Sequence, residues 1–155
     1  MKKAKFYKHT KKNYSCLIFE DHLFDKDDEF LAKLLEIVKL FYKSDMTIIC
    51  NFFDDNDKFA NELFKVFGDK IETLFTFSRT KYYKRQVCLS ETNMNEVLAL
   101  AIKHEASPEI EASDRQGLAL FQIGLNDNDG TFINFNTTTY NLDEIKTKIS
   151  QILSD

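Results

Sequence analysis

The sequence predicts an α/β fold, with α+β as the alternative, in which helices pack on a single mixed β-sheet. The first observation is the apolar, β-rich run at residues 46–53, whose apolar residues fall on both faces and indicate a central strand covered on both sides. The second is the order of strand-like and helical runs, βαβα, ββ, α, ββ, α. The third is composition: 155 residues with 15 Phe, 4 Gly and 1 Pro favour one compact domain.

The first half of the chain reads as strand, helix, strand, helix. A strand at residues 14–19, which a short strand at 5–7 can precede, is followed by an amphipathic helix at 27–43 that Asp25 can cap. A helix between two strands favours their parallel pairing. We therefore expect Ile49 to be buried beneath helices. The helical face that follows consists of Phe59, Leu63, Val66 and Phe67, and Gly68 ends it.

The second half adds strands at residues 71–77 and 83–89 and a helix that begins at Asn93, with Glu96 completing a capping box. The buried side of this helix is predicted to contain Met94, Val97, Leu98 and Ala101. Residues 105–116 are polar and acidic and predict an exposed, mobile loop. A hairpin then joins strands at 118–125 and 131–135, and a last helix is capped by Asn141 with Glu144 as its box partner.

The charge of the chain is uneven along its length. Six lysines fall within residues 1–12, before any acidic residue, so the net charge of −4 divides into a basic N-terminal arm at 1–12 and a single α/β domain at 13–155 carrying −10. An acidic domain repels nucleic acid phosphates and attracts basic proteins or cations. The predicted partner is a basic protein and nucleic acid is disfavoured. The lysine arm could contact RNA, but a solvated, partly frayed terminus is the favoured interpretation of it.

The cysteines and the apolar segments bear on location. Cys16, Cys50 and Cys88 are odd in number, lie in strand-like runs and lack metal-ligand spacing, which predicts buried, reduced thiols. No stretch approaches the roughly 18 consecutive apolar residues of a membrane span, and the basic start lacks the apolar region of a signal peptide. These observations predict a cytoplasmic protein without a membrane segment.

Two acidic stretches have a chemical as well as a structural interpretation. Glu20 and Asp21 follow the first predicted strand, and Asp54 and Asp55 follow the second. If those strands are parallel neighbours, these acids share one edge of the sheet and can hold Mg²⁺ for phosphoryl transfer. Helix capping explains the same acids without a ligand and is the favoured interpretation. No nucleophile motif, HExxH or phosphate loop is present, so no catalytic residue and no cofactor is predicted.

Two further stretches have alternative interpretations. Residues 126–130 resemble part of a calcium loop, but Leu125 and Asn136 then stand at ligand positions, so a plain turn is favoured. Residues 79–85 mix four cations with two aromatics, which suits either nucleic-acid binding or, as favoured here, an exposed edge strand. A subunit of a larger assembly, joined through Tyr82 and Tyr83, is a third possible role for the chain.

A small, acidic α/β domain rich in Phe, Tyr, Asn and Lys, with acidic loops and no catalytic signature, resembles the bacterial immunity proteins that neutralise secreted or contact-delivered toxins. The likeness lies in general character over the whole chain, and no functional residue is carried over from it. It implies that acidic side chains block the basic face of a nuclease-type toxin. The acidic residues predicted to meet such a partner are Asp54, Asp55, Asp57, Glu105, Glu109, Glu111 and Asp114.

Overall fold

The computed structural model describes residues 4–9, 13–20, 24, 26–74, 83–127 and 130–155, which form eight strands and four α-helices. The strands are β1 (Ala4–His9), β2 (Tyr14–Phe19), β3 (Thr47–Phe53), β4 (Glu72–Leu74), β5 (Lys84–Leu89), β6 (Glu109–Ser113), β7 (Ala119–Asp127) and β8 (Gly130–Asn136). The helices are α1 (Asp27–Lys39), α2 (Asp57–Phe67), α3 (Glu91–Lys103) and α4 (Leu142–Ser154).

All eight strands belong to one sheet in the order β1-β2-β8-β7-β6-β3-β5-β4, and each neighbouring pair is antiparallel. The predicted fold class, a single sheet with helices packed on it, is confirmed. The predicted parallel pairing of β2 with β3 is wrong, because β8, β7 and β6 lie between them. These three strands come from the C-terminal half of the chain, and they separate two strands that are neighbours in the sequence.

The pairing registers divide the sheet into two chemically different faces. One transverse row contains only apolar side chains that are 0–2% exposed: Leu17, Ile133, Ile123, Ile110, Cys50 and Val87. The adjacent row, whose side chains point the other way because successive strand residues alternate, contains Cys16, Asn134, Gln122, Glu111, Ile49 and Cys88. We call the first face the helix face and the second the open face.

The helices cover the helix face. The Phe30 ring of α1 packs on Phe19, and the Phe59 ring of α2 packs on Phe52, with centroids 5.8 and 5.9 Å apart. Helix α3 contacts β5, β7, α1 and α2, while α4 contacts α1. Beyond α1, the Phe41 ring lies 5.1 Å from that of Phe135. None of the described helices packs on the open face.

Three helix starts test the predicted caps. Helix α1 begins after Lys26, which makes no side-chain cap, and Asp25 lies outside the described residues. Helix α3 begins two residues before Asn93, because the Ser90 side chain accepts a hydrogen bond from the Asn93 amide at 3.2 Å. The predicted Asn141 cap is confirmed, since its side chain accepts from the Glu144 amide at 3.0 Å.

The predicted loop at residues 105–116 is wrong over its centre, because Glu109–Ser113 form β6 between β7 and β3. Ile110 and Ala112 point into the core while Glu109, Glu111 and Ser113 point to the open face. This period-2 alternation is a strand pattern, but the acidic residues on one face gave the segment the composition of a loop.

Strand β3 lies inside the sheet as predicted, but the described helices cover only one of its faces. Ile48, Cys50 and Phe52 are buried, whereas Ile49 is half-buried on the open face, so the expectation of a helix-covered Ile49 is wrong. Cys88 is exposed on the same face, which contradicts the prediction of a third buried thiol.

Three further predictions concern the N-terminal arm, the strand at 71–77 and the hairpin. Residues 4–9 of the predicted basic arm form β1, which pairs with β2 along its whole length, while residues 1–3 and 10–12 lie outside the description. The predicted strand at 71–77 is described only as Glu72–Leu74. The β7–β8 hairpin is confirmed, although its tip at 128–129 lies outside the described residues.

Among the described helices, none has the length and apolarity needed to span a membrane.

Candidate functional site on the open face

The centre of the open face is a belt of amide and carboxyl side chains. The Gln122 amide donates a hydrogen bond to the Glu109 carboxylate, and the Asn134 amide donates to Gln122 Oε1 at 3.5 Å. On the next strands, the Gln86 amide donates to Asn51 Oδ1 at 3.1 Å. Because these groups bond one another, their orientation is set before any partner arrives.

Two of the acids predicted to meet a partner lie together in this belt. Glu109 and Glu111 are alternate residues of β6, so both carboxyl groups point to the open face. Partial burial raises the pKa of Glu111, and a hydrogen bond to Glu109 and the charge of Glu109 raise it further, against a smaller opposing effect of Lys84. The charged form of this pair is therefore electrostatically unfavourable, and an added cation would relieve the repulsion.

A cavity of about 570 Å³ opens beside Glu111 on the same face. Its lining combines polar groups with apolar walls: Tyr14, Ile49, Glu111, Ala112, Ser113, Gly117, Ala119, Phe121, Gln122 and Asn134. A volume of this size lies within the range of natural ligand pockets, about 300–1,000 Å³.

The turn after β6 forms one rim of this cavity. Asp114 Oδ1 accepts hydrogen bonds from the amides of Gln116 and Leu118 at 2.9 and 2.8 Å, which holds Gly117 at the cavity edge. The pairing of β6 with β7 shifts register between Ala112 and Ser113, at the base of this turn. The predicted partner residue Asp114 therefore has a structural role in shaping the rim.

Asp54 is likewise committed to contacts within the chain. Its carboxylate accepts from Arg85 Nε at 3.2 Å, from Arg85 Nη2 at 3.0 Å and from the Tyr83 amide at 2.8 Å. The Arg85 guanidinium also lies over the Phe64 ring, 4.9 Å from its centroid. These contacts tie the end of β3 to the start of β5, so the Asp54 carboxylate is engaged within the chain.

Two of the remaining predicted acids lie at one end of the sheet. Asp55 and Glu105 are exposed near one another at the carboxyl end of β3, where Asn56 Nδ2 donates to the His104 carbonyl at 2.9 Å. The side chain of Asp57 lies outside the description. The structure thus brings Glu109 and Glu111 together on the open face, with Asp114 at the rim of the cavity beside Glu111, and places Asp54, Asp55 and Glu105 at the carboxyl end of β3.

Among the described residues, the alternative metal site is not assembled. Glu20 follows β2 and Asp54 follows β3, and four strand spacings of about 4.8 Å separate these strands, or about 19 Å. Asp21 lies outside the described residues, and within them no three His, Cys, Asp or Glu side chains are placed to hold a metal ion. The predicted convergence depended on parallel neighbouring strands, which the sheet order contradicts.

Of the cationic stretch at residues 79–85, Lys84 and Arg85 do not lie on an edge strand, because β4 covers the outer side of β5, while residues 79–82 lie outside the described residues. Arg85 faces the helix layer and is largely occupied by Asp54, while Tyr83 is 57% exposed. Tyr82, the other residue suggested for assembly contacts, lies outside the described residues. Of the two tyrosines suggested for assembly contacts, the structure therefore describes only Tyr83, which is exposed.

Sequence reasoning missed Tyr14, Gln122 and Asn134 as site residues. Gln122 and Asn134 each interrupt an otherwise apolar strand at a position facing away from Ile123 and Ile133. A polar residue at such a position was the available signal, because a solvated or ligand-binding face gives the same alternation. What the sequence did not contain was the register that places them beside Glu111.

Comparison of the chain with known protein families, with curated proteins and with solved structures finds no match.

Proposed function

We propose that this chain is a small cytoplasmic binding protein that neutralises a basic toxin of the nuclease type by presenting its open face. The observation that carries the proposal is the Glu109–Glu111 pair on an inner strand of a sheet face that no described helix covers. Two adjacent carboxyl groups cost electrostatic energy in the free protein. A partner that supplies positive charge at this position offsets that cost.

The charge of residues 13–155, within a chain whose net charge is −4, supports the same partner. Residues 13–155 carry a net charge of −10, which attracts a basic protein at long range and speeds its encounter. The face that receives the partner is a broad sheet surface with polar groups already hydrogen-bonded to one another. Such a surface presents acceptors in fixed positions, which favours specific rather than general attraction.

The test begins with affinity capture of a partner from the native host. The recovered protein is then expressed alone, where it should arrest growth, and together with this chain, where growth should be restored. We expect the double variant Glu109→Gln and Glu111→Gln to lose most of that protection and to slow association measured at low salt.

The matched control is the double variant Glu36→Gln and Glu96→Gln, which makes the same change of charge on exposed positions of α1 and α3. It should retain protection and reduce the association rate only slightly. An acidic or harmless partner, or equal losses in the two double variants, would contradict the proposed function.

A further inference from the structure

We propose that the cavity beside Glu111 binds the side chain of an arginine. The proposal deepens the proposed function by naming the partner residue that anchors on the open face, and it rests on that function for the source of the arginine. The chemistry of the cavity lining is independent of that source.

The acceptors in the cavity suit a guanidinium group. Glu111 supplies a carboxylate, Ser113 a hydroxyl, and Gln122 and Asn134 supply amide oxygens, all on the cavity wall. Glu111 and Gln122 are register partners on neighbouring strands, and Asn134 is the partner of Gln122 on the next. A guanidinium has five N–H donors in one plane, so acceptors on three adjacent strands can be engaged together.

The apolar part of the cavity suits the rest of an arginine side chain. Tyr14 and Ile49 line it from β2 and β3 on the open face, whereas the ring of Phe121, another lining residue, points to the helix face and packs on Phe41. The weakly hydrated, flat guanidinium packs against aromatic surfaces, whereas an ammonium keeps its water and presents a single point of charge. We therefore expect the cavity to discriminate arginine from lysine.

The pair of carboxyl groups adds a dependence on pH. The groups that act on Glu111 are Glu109 on its own strand and Lys84 on β5, and its register neighbours Gln122 and Ile49 are uncharged. Because the pKa of Glu111 is raised, the free protein keeps this carboxyl protonated over a wider pH range than an ordinary glutamate. A guanidinium binds the charged form, so affinity should fall as pH falls into that range.

The experiment titrates N-acetyl-arginine amide into the isotopically labelled full chain and follows backbone and side-chain amide signals by NMR. Saturable shifts should centre on Ser113, Gln122 and Asn134. N-acetyl-lysine amide should bind at least about 5-fold more weakly, since it lacks the planar donor set. Glu111→Gln should weaken binding of the arginine compound about 10-fold, the size of one lost charge-assisted hydrogen bond.

The control variant is Glu72→Gln, an exposed glutamate on the open face but outside the cavity lining, which should bind as the parent chain does. Equal affinity for the two amides, shifts centred away from the cavity, or no effect of Glu111→Gln would overturn the inference. Arginine binding without a toxic basic partner would uphold the cavity and refute the proposed function. Growth protection without arginine binding would do the reverse.

Discussion

The two faces of strand β6 illustrate how differently one sheet is used on its two sides. Ile110 and Ala112 point into the core beneath the helices and are 0% and 2% exposed. Glu109 and Glu111 alternate with them and meet amide side chains and a cavity on the open face. Burial of the first pair stabilises the fold, whereas the second pair is held together at an electrostatic cost.

This difference between the faces separates the positions that stabilise the fold from the positions that the fold holds out for binding. On the helix face, aromatic and aliphatic side chains interlock across sheet and helices, as with Phe41, Phe135 and Tyr140. On the open face, side chains bond to their strand neighbours and leave one surface accessible. Substitutions should therefore affect stability on one face and binding on the other.

The largest expected effect is that of Phe135→Ala on the helix face. Phe135 is fully buried and its ring lies 5.1 Å from that of Phe41, so truncation should lower the free energy of unfolding by about 3–5 kcal/mol. Ile49 is a half-buried residue of β3 on the open face, so Ile49→Ala should lower the free energy of unfolding by only about 1 kcal/mol. Urea denaturation monitored by circular dichroism measures the two values.

If Phe135→Ala fails to fold, Phe135→Leu gives a smaller loss on the same side of the comparison. Similar losses for Phe135→Leu and Ile49→Ala would mean that the open face is covered in solution. The difference between the faces would then disappear.

An intermediate effect is expected at the end of β3. Asp54→Ala removes the acceptor for Arg85 and for the Tyr83 amide, and the Asp54 and Arg85 side chains are 19% and 21% exposed, so we expect a loss of about 2 kcal/mol. Asp55→Ala, at an exposed position, should change stability by less than about 0.5 kcal/mol.

Thermal melts of the two variants, recorded side by side, decide this point. A destabilised Asp55→Ala with an unaffected Asp54→Ala would restore Asp54 as a candidate binding residue. That result would also mean that Asp55, and not Asp54, stabilises the end of β3.

The smallest effects on the melting temperature should differ in sign between Glu111 on the open face and Glu144 on helix α4. The pKa of Glu111 is raised, so its charged form costs stability, and Glu111→Gln should raise the melting temperature near pH 7 with a gain that shrinks as pH falls. The pKa of Glu144 on α4 is lowered by Lys148, whose Nζ lies 2.7 Å from its carboxylate. Glu144→Gln should therefore lower the melting temperature near pH 7, and this loss should vanish as pH falls through the carboxyl range.

Melting temperatures measured from pH 4 to pH 8 test both signs in one series. A stabilising effect of Glu111→Gln that persists unchanged at low pH would show that packing, not charge, is responsible. The interpretation of the Glu109–Glu111 pair would then fail.

The sequence alone predicted the elements whose signal is local. The buried stripe of α3, the Asn141 cap and the β7–β8 hairpin follow from spacings of a few residues, and each is present. It also predicted Glu109 and Glu111 among the acids of interest, from charge alone. Their strand was missed, because acidic residues at alternate positions resemble a loop when the apolar residues between them are few.

Only the tertiary structure decided where those residues lie. Strand order depends on pairings between distant parts of the chain, and here β8, β7 and β6 separate β2 from β3 and keep Glu20 and Asp54 apart. Period-2 alternation defines two faces of a strand but not which of them the helices cover. The register of β6 with β7 placed Glu111 beside Gln122 at the cavity, and the pairing of β3 with β5 brought Asp54 to Arg85.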